Sequence, residues 1–209
     1  MMEDFVLRAR LRAPIIQIGY LTLDALLMAV LARGDVSDLL RCEDELYHAS
    51  AGFLRDQIAD GKAAFVASMR PEHTPGWADV IKPNTRQGDV QIGLTRQREA
   101  GNIINAYTAR VANSIEWYAT GRMREVHAVV ERIPFIGKRR SAGYGEVITW
   151  EVEAGGPGGL VGWVSEPLRP IPTDRWTHGG DWIPVEAAWK APYWDVRNRT
   201  RCFVPEGSL

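Results

Sequence analysis

A change of apolar period near the start of this chain constrains its fold more than any other feature. Phe5, Leu7, Ala9 and Leu11 alternate with Arg8, Arg10 and Arg12, the period of two that puts successive side chains on opposite faces of a strand. Pro14 has no N–H to give a ladder and closes the segment. The period then lengthens. Leu23, Leu26, Leu27, Val30 and Leu31 recur at helical spacing, with Thr22 a competent N-cap before them and Gly34 where a C-terminal cap belongs. A strand and a helix that each carry one apolar face have to bury those faces against further elements of the same chain.

The segment Val36 to Asp60 is less regular. Leu39, Leu40, Leu46, Tyr47, Phe53, Leu54 and Ile58 suggest one or two short helices there. Ala63 to Met69 reads as a buried strand closed by Arg70-Pro71. Proline, glycine and charge then replace any period from Pro71 to Asn102. That stretch is too long for a simple connection, so an inserted basic arm is expected at about residues 70–105. Strand character returns over Ala106 to Ala119, with Tyr107, Ala109, Val111, Ile115 and Trp117 on one face and Thr108, Arg110, Ser114 and Glu116 on the other. A helix follows Gly121, carrying Met123, Val126, Val129, Val130 and Ile133 on one stripe and ending before Pro134. After a glycine-rich loop, Glu146 to Glu153 reads as a strand.

Strand, helix, strand, strand, helix, strand is the order of the split βαβ, or ferredoxin-like (RRM-like), α+β arrangement. Two helices cover one face of a four-stranded antiparallel sheet, and the other face stays open. Arg8, Arg10 and Arg12 would lie on that open face, either facing a partner or forming a solvated or ion-paired strand face. Past the glycine-proline link Gly155–Gly159, a Trp/Pro-rich C-terminal extension carries Trp163, Trp176, Trp182, Trp189 and Trp194. Residues this apolar are expected to pack on the core, with base stacking the alternative for some. The expected organisation is a core domain over 1–154 and an extension over 155–209.

At 209 residues, with 45% hydrophobic and 24% charged residues, the chain can build a core without disulfides or metals. Cys42 and Cys202 match no metal-ligand spacing and point to a reducing compartment. No basic-then-apolar leader precedes Phe5, and the apolar run Leu23 to Ala32 is broken by Asp24 and too short to cross a bilayer. A cytoplasmic protein without membrane contact is expected. The formal charge of −1 conceals a strong asymmetry: residues 82–140 carry a net +6 and the remainder a net −7. Segregation of that kind predicts a basic surface on an acidic body.

The densest part of the basic block is Gly137-Lys138-Arg139-Arg140-Ser141-Ala142-Gly143-Tyr144-Gly145. Glycine permits positive φ and close approach. Successive N–H groups in such a loop can form a concave anion site, to which the neighbouring cations add charge. If Gly143 needs positive φ, a Gly143→Val change is expected to be harsh, costing both shape and close approach. No Gly-Lys-Ser/Thr follows at P-loop spacing, and the loop precedes a strand where a dinucleotide fingerprint would precede a helix. A polymer backbone fits it better than a mononucleotide. Of the histidines, His127 is expected to pair with nearby carboxylates or lie on the surface. His48, His73 and His178 have no companion pattern for acid–base catalysis. No metal ligands cluster, no cofactor is expected, and no catalytic residue is assigned.

Residues Arg122 to Glu153, with their glycine-rich loop between the last helix and the last strand, resemble the C-terminal half of RAMP proteins, the ferredoxin-like RNA binders of CRISPR systems. Three further stretches make the chain, apart from a weak stretch between about Pro71 and Asn102, similar to the Cas-five-like subunit of type IV CRISPR effector complexes. They are Leu21-Thr22-Leu23-Asp24-Ala25-Leu26-Leu27, Leu168-Arg169-Pro170-Ile171-Pro172 and Ala188-Trp189-Lys190-Ala191-Pro192-Tyr193-Trp194, the last ahead of Cys202 and Pro205. The resemblance implies a non-catalytic subunit that binds the five-prime handle of the crRNA and caps a filament of Cas-seven-like backbone subunits. It also implies contact with the large subunit near the site where target DNA is opened, and leaves open whether an accessory helicase docks on it. Gly137, Lys138, Arg139, Arg140, Ser141, Gly143, Tyr144 and Gly145 match the RNA-facing loop. Lys82, Arg86, Arg96 and Arg98 stand where related subunits insert an arm. A Cas-six-like metal-independent endoribonuclease and a stand-alone ferredoxin-like RNA-binding module are the alternatives.

Overall fold

A computed structural model describes residues 1–68 and 102–208 of the chain. The alternation at the start forms strand β1 (Glu3–Leu11), whose Phe5, Leu7, Ala9 and Leu11 are buried. Helix α1 (Leu23–Leu31) follows, with Thr22 at its N-cap in extended conformation. The expected glycine cap is displaced. Ala32 takes the left-handed conformation at φ 51 and returns its N–H to the Met28 carbonyl, so the helix closes before reaching Gly34.

The helices expected between Val36 and Asp60 are not formed. Two-residue strands β2 (Cys42–Glu43) and β3 (Leu46–Tyr47) pair across a turn in which Asp44 and Glu45 have φ 48 and 66. Leu39, Leu40, Leu46 and Tyr47 are buried, but they reach the core from a folded-back segment. Apolar residues supply burial there without a sustained helical period, and the turn decides the backbone. Strand β4 (Phe53–Ser68) takes in the expected strand as far as Ser68 and begins well before it, while Met69 lies outside the described residues. Strand β5 (Asn102–Gly121) likewise extends the expected 106–119 at both ends. The expected arm, with Lys82, Arg86, Arg96 and Arg98 as well as His73, lies mostly outside the described residues.

Helix α2 (Met123–Val130) then leads through the glycine-rich loop to β6 (Val147–Ala154). The four long strands form one sheet in the order β4-β5-β1-β6, with β1 antiparallel to both β5 and β6. This α+β order is compatible with the ferredoxin-like core. The chain divides into two compact units, Met1–Gly61 with Ala109–Leu209, and Lys62–Thr108. In the smaller unit the Phe65 and Tyr107 rings lie 6.0 Å apart.

In the larger unit the apolar face of β1 meets Ile115, Trp117 and Ala119 of β5, Trp150 of β6, Leu23 and Leu27 of α1, and Val126 and Val130 of α2. Trp117 and Trp150 stack at 5.8 Å. Their buried indole N–H groups donate to the carbonyls of Leu21 at 2.8 Å and Ile133 at 3.1 Å, which removes the cost of burying an unpaired donor. The C-terminal extension is ordered. Its strands β7 (Ile171–Pro172), β8 (Val185–Ala188) and β9 (Arg199–Phe203) form a second sheet in the order β7-β9-β8. A second core of Leu46, Ile171, Ala187, Trp189 and Cys202 lies there. No helix among the described residues is long and apolar enough to cross a membrane.

Candidate nucleic-acid interface

The glycine-rich loop leaves helix α2, doubles back and enters β6 at the end of the sheet where β1 finishes. Arg12 donates its N–H to the Glu146 carbonyl at 2.9 Å there. A one-turn 3-10 helix, Arg140–Ala142, forms the loop's tip, flanked by left-handed Arg139 (φ 59) and Gly143 (φ 84). The rest of the backbone is tied down. Lys138 donates to Ile16 at 2.7 Å, Gly145 to Pro14 at 2.9 Å and Ile136 to Gly145 at 2.9 Å, while Ala142, Gly143 and Tyr144 donate within the tip.

This arrangement corrects the expectation of an open nest of N–H groups. Most of those donors are spent on carbonyls of the loop and of the Pro14–Ile16 segment, because that segment runs close beneath and its own acceptors need partners. What the loop presents is side chains. Lys138, Arg140 and Ser141 are exposed, Arg139 is half-buried, and Gly145 is buried.

The glycines divide by role. A Cβ on Gly145 would run into the Ile136 carbonyl, and one on Gly137 would lie 2.6 Å from the Ile16 carbonyl. Gly143 needs its positive φ but has open space around it. Of the two reasons expected at Gly143, shape applies and close approach does not; the close approaches are at 137 and 145.

Several cations on and beside the sheet are already taken. On the sheet face away from the helices, Arg8 bridges Glu116 at 2.5 Å and Glu151 at 3.3 Å, and Arg10 reaches Glu151 at 2.9 Å. Arg55 holds the other Glu116 oxygen at 2.6 Å, and Arg12 pairs with Glu146 at 3.0 Å. Burial pushes the Glu116 carboxyl up, but the Arg55 and Arg8 guanidiniums more than offset this and its pKa is lowered. The register explains the pairing, since Arg8 sits between Glu116 on β5 and Glu151 on β6. Of the two fates open to these arginines, the structure selects ion pairing. By contrast, Lys138 and Arg140, with Arg122, Arg124 and Arg132 on or beside α2, form no ion pair among the described residues.

A second constellation was not assigned any role from the sequence. Arg169, fully buried, donates to Asp24 at 3.3 Å, the Tyr47 carbonyl at 2.7 Å, the Ala49 carbonyl at 3.1 Å, the Trp189 carbonyl at 3.0 Å and the Tyr193 hydroxyl at 2.7 Å. Tyr193 in turn donates to the buried Asp24 carboxylate. Burial and the Asp24 charge push the Tyr193 hydroxyl up, so it stays protonated and can donate. Asp24, Arg169 and Tyr193 come from the three separate stretches that carried the resemblance. Together they latch the extension to α1 and the β3 region. The signal in the sequence was Asp24 inside an otherwise apolar helix, which demands a buried cation.

A helix-covered, mostly antiparallel sheet with a braced, basic loop feeding its edge strand defines an α+β protein compatible with the ferredoxin-like class. The chain belongs to the family described as CRISPR type IV associated protein Csf3, whose family model matches residues 57–205. Membership gives it a role in a type IV CRISPR complex. None of the curated proteins matches the chain.

Proposed function

We propose that this chain is the non-catalytic crRNA-binding subunit of a type IV CRISPR ribonucleoprotein, holding the five-prime handle against residues 137–145 and capping the filament of Cas-seven-like subunits. The contrast among cations carries the reading. Arg8, Arg10 and Arg12 are consumed by carboxylates, whereas Lys138 and Arg140 stand exposed and without an ion-pair partner among the described residues on a braced backbone. Cations held in place for a phosphate chain bind by releasing its condensed counterions. Such contacts position a backbone and read no bases, which suits a complex whose sequence recognition comes from guide pairing.

The histidines support a binding role over cleavage. His48 lies beside Glu43 at 3.3 Å, and burial lowers its pKa. His127 contacts the Trp150 carbonyl at 3.1 Å and Glu131 at 3.6 Å. The His178 ring packs on Trp176 at 5.1 Å. None belongs to the loop.

The test is co-expression with a CRISPR array and the other proteins of a type IV system. The wild-type chain is expected to carry RNA of defined length. Lys138→Ala/Arg139→Ala/Arg140→Ala should lose most of it and flatten the salt dependence by about one log–log unit per lost phosphate contact. Undiminished retention in the triple variant would move the RNA site elsewhere. Metal-free, site-specific cutting of labelled repeat RNA would favour a Cas-six-like endoribonuclease instead.

A further inference from the structure

At the end of the sheet opposite the basic loop, about 25 Å away along β1 by strand rise, the chain leaves β6 and forms a small hairpin. Gly155 donates to the Asp4 carbonyl at 2.7 Å, and the Gly158 carbonyl accepts from Thr120 Oγ1 at 3.1 Å, fixing the hairpin's origin at that end. Its tip carries Trp163 and Val164, which are 78% and 81% exposed. A lone exposed apolar residue needs no explanation, but consecutive ones that include a tryptophan are unusual on a protein surface.

The tip is built, not loose. Val161 pairs with Pro167, and Leu168 donates to Leu160 at 2.9 Å. Gly162 donates to the Glu166 carbonyl at 2.8 Å, and Ser165, left-handed at φ 64, donates back to Gly162 at 3.2 Å. The Glu166 carboxylate folds across Gly162, where a side chain would collide with it, and accepts the Val164 N–H at 2.9 Å. Every one of these contacts holds the turn in the shape that displays the two apolar side chains. A preorganised aromatic loses little further freedom on binding, which is the property of an interface hot spot.

The charge around it points to the kind of partner. From Val147 to Leu168 there is no Lys or Arg, while Glu153 and Glu166 are present; the third carboxylate of the segment, Glu151, is held by Arg8 and Arg10 on the sheet. The next cation along the chain, Arg169, is buried on Asp24, and Arg41, whose N–H meets Thr120 at this end, holds its guanidinium on Glu43. Nucleic-acid stacking sites combine an aromatic ring with a cationic track, and this tip lacks the track.

We infer that the Trp163–Val164 tip is a docking knob for a neighbouring protein subunit of the type IV assembly, seated in an apolar pocket with a basic rim. The inference rests on the proposed membership of that ribonucleoprotein. One end of the molecule would then hold RNA and the other protein.

The experiment is co-purification of the tagged chain with the other proteins of a type IV system and its crRNA, comparing wild type with Trp163→Ser/Val164→Ser. Both side chains are exposed, so the variant should melt at the wild-type temperature. It should keep its RNA through the 137–145 loop and lose at least about tenfold of one protein component. A photo-crosslinking residue placed at 163 should give a protein adduct with that same component. Full retention of every protein component overturns the inference and leaves the RNA-binding reading standing. An RNA adduct at 163, or RNA lost with all proteins kept, overturns it in favour of base stacking. A crosslink between two copies of this chain overturns it in favour of self-association. A wild-type chain that brings down neither RNA nor protein overturns both readings.

Discussion

Replacing Arg169 by methionine removes one long side chain and leaves a set of buried polar groups behind it. The Asp24 carboxylate keeps only the Tyr193 hydroxyl from this cluster, and the carbonyls of Tyr47, Ala49 and Trp189 each lose a donor. Breaking a fully buried ion pair from one side costs about 3–5 kcal/mol, out of a total that for a domain of this kind is about 5–15 kcal/mol. With a urea slope of roughly 1–3 kcal/mol per molar, the unfolding midpoint should fall by at least about 1 M. Tryptophan fluorescence follows the transition, and limited proteolysis should show residues 160–208 released first, because the arginine joins them to α1. Adding Asp24→Asn to Arg169→Met should recover part of the loss, since the stranded charge is gone while the carbonyls remain unpaired. A midpoint unchanged in Arg169→Met, or a second substitution that simply adds to the first, would refute the latch.

Three other outcomes are expected. Glu116 has its pKa lowered in the folded chain, so its stabilising effect is complete above the unfolded value of about 4.3 and is lost as pH falls through the folded one. Acid unfolding should therefore steepen below about pH 4 in the wild type and be shallower in Glu116→Gln, as followed by circular dichroism. In the loop, Gly145→Ala should destabilise more than Gly143→Ala, which is expected to cost about 1 kcal/mol for the left-handed backbone alone; chemical denaturation compares them, and equal losses would count against the close contact with Ile136. Arg10→Gln should leave RNA retention at the wild-type level, because Glu151 already occupies that guanidinium; a loss as large as that of the 138–140 triple variant would place RNA on the open sheet face.

Much of the fold was legible where one period ran unbroken. The alternation from Phe5 to Leu11 and the stripe from Met123 to Val130 each specify a buried face, and the order of elements then limits how six of them can share one core. The loop was legible too, because glycines beside cations mark both a tight path and a charged surface. The segment from Val36 to Asp60 was misread because its apolar residues report burial without reporting geometry: left-handed Asp44 and Glu45 set the turn, and of the two only the aspartate is a residue type that favours it.

Tertiary structure alone decided which cations remain available. Arg8, Arg10 and Arg12 look as basic in the sequence as Lys138 and Arg140, but register puts Glu116, Glu151 and Glu146 beside the first group. Ion pairing depends on distances between strands 100 and more residues apart, which no local pattern encodes. The same holds for Asp24, Arg169 and Tyr193, joined across the chain by a buried charge that had to find its partner. The sequence by itself determined the elements of the main sheet and its two helices, their order, and the basic side chains of the loop. The fold determined which side chains are spent within the protein and which remain to meet a partner.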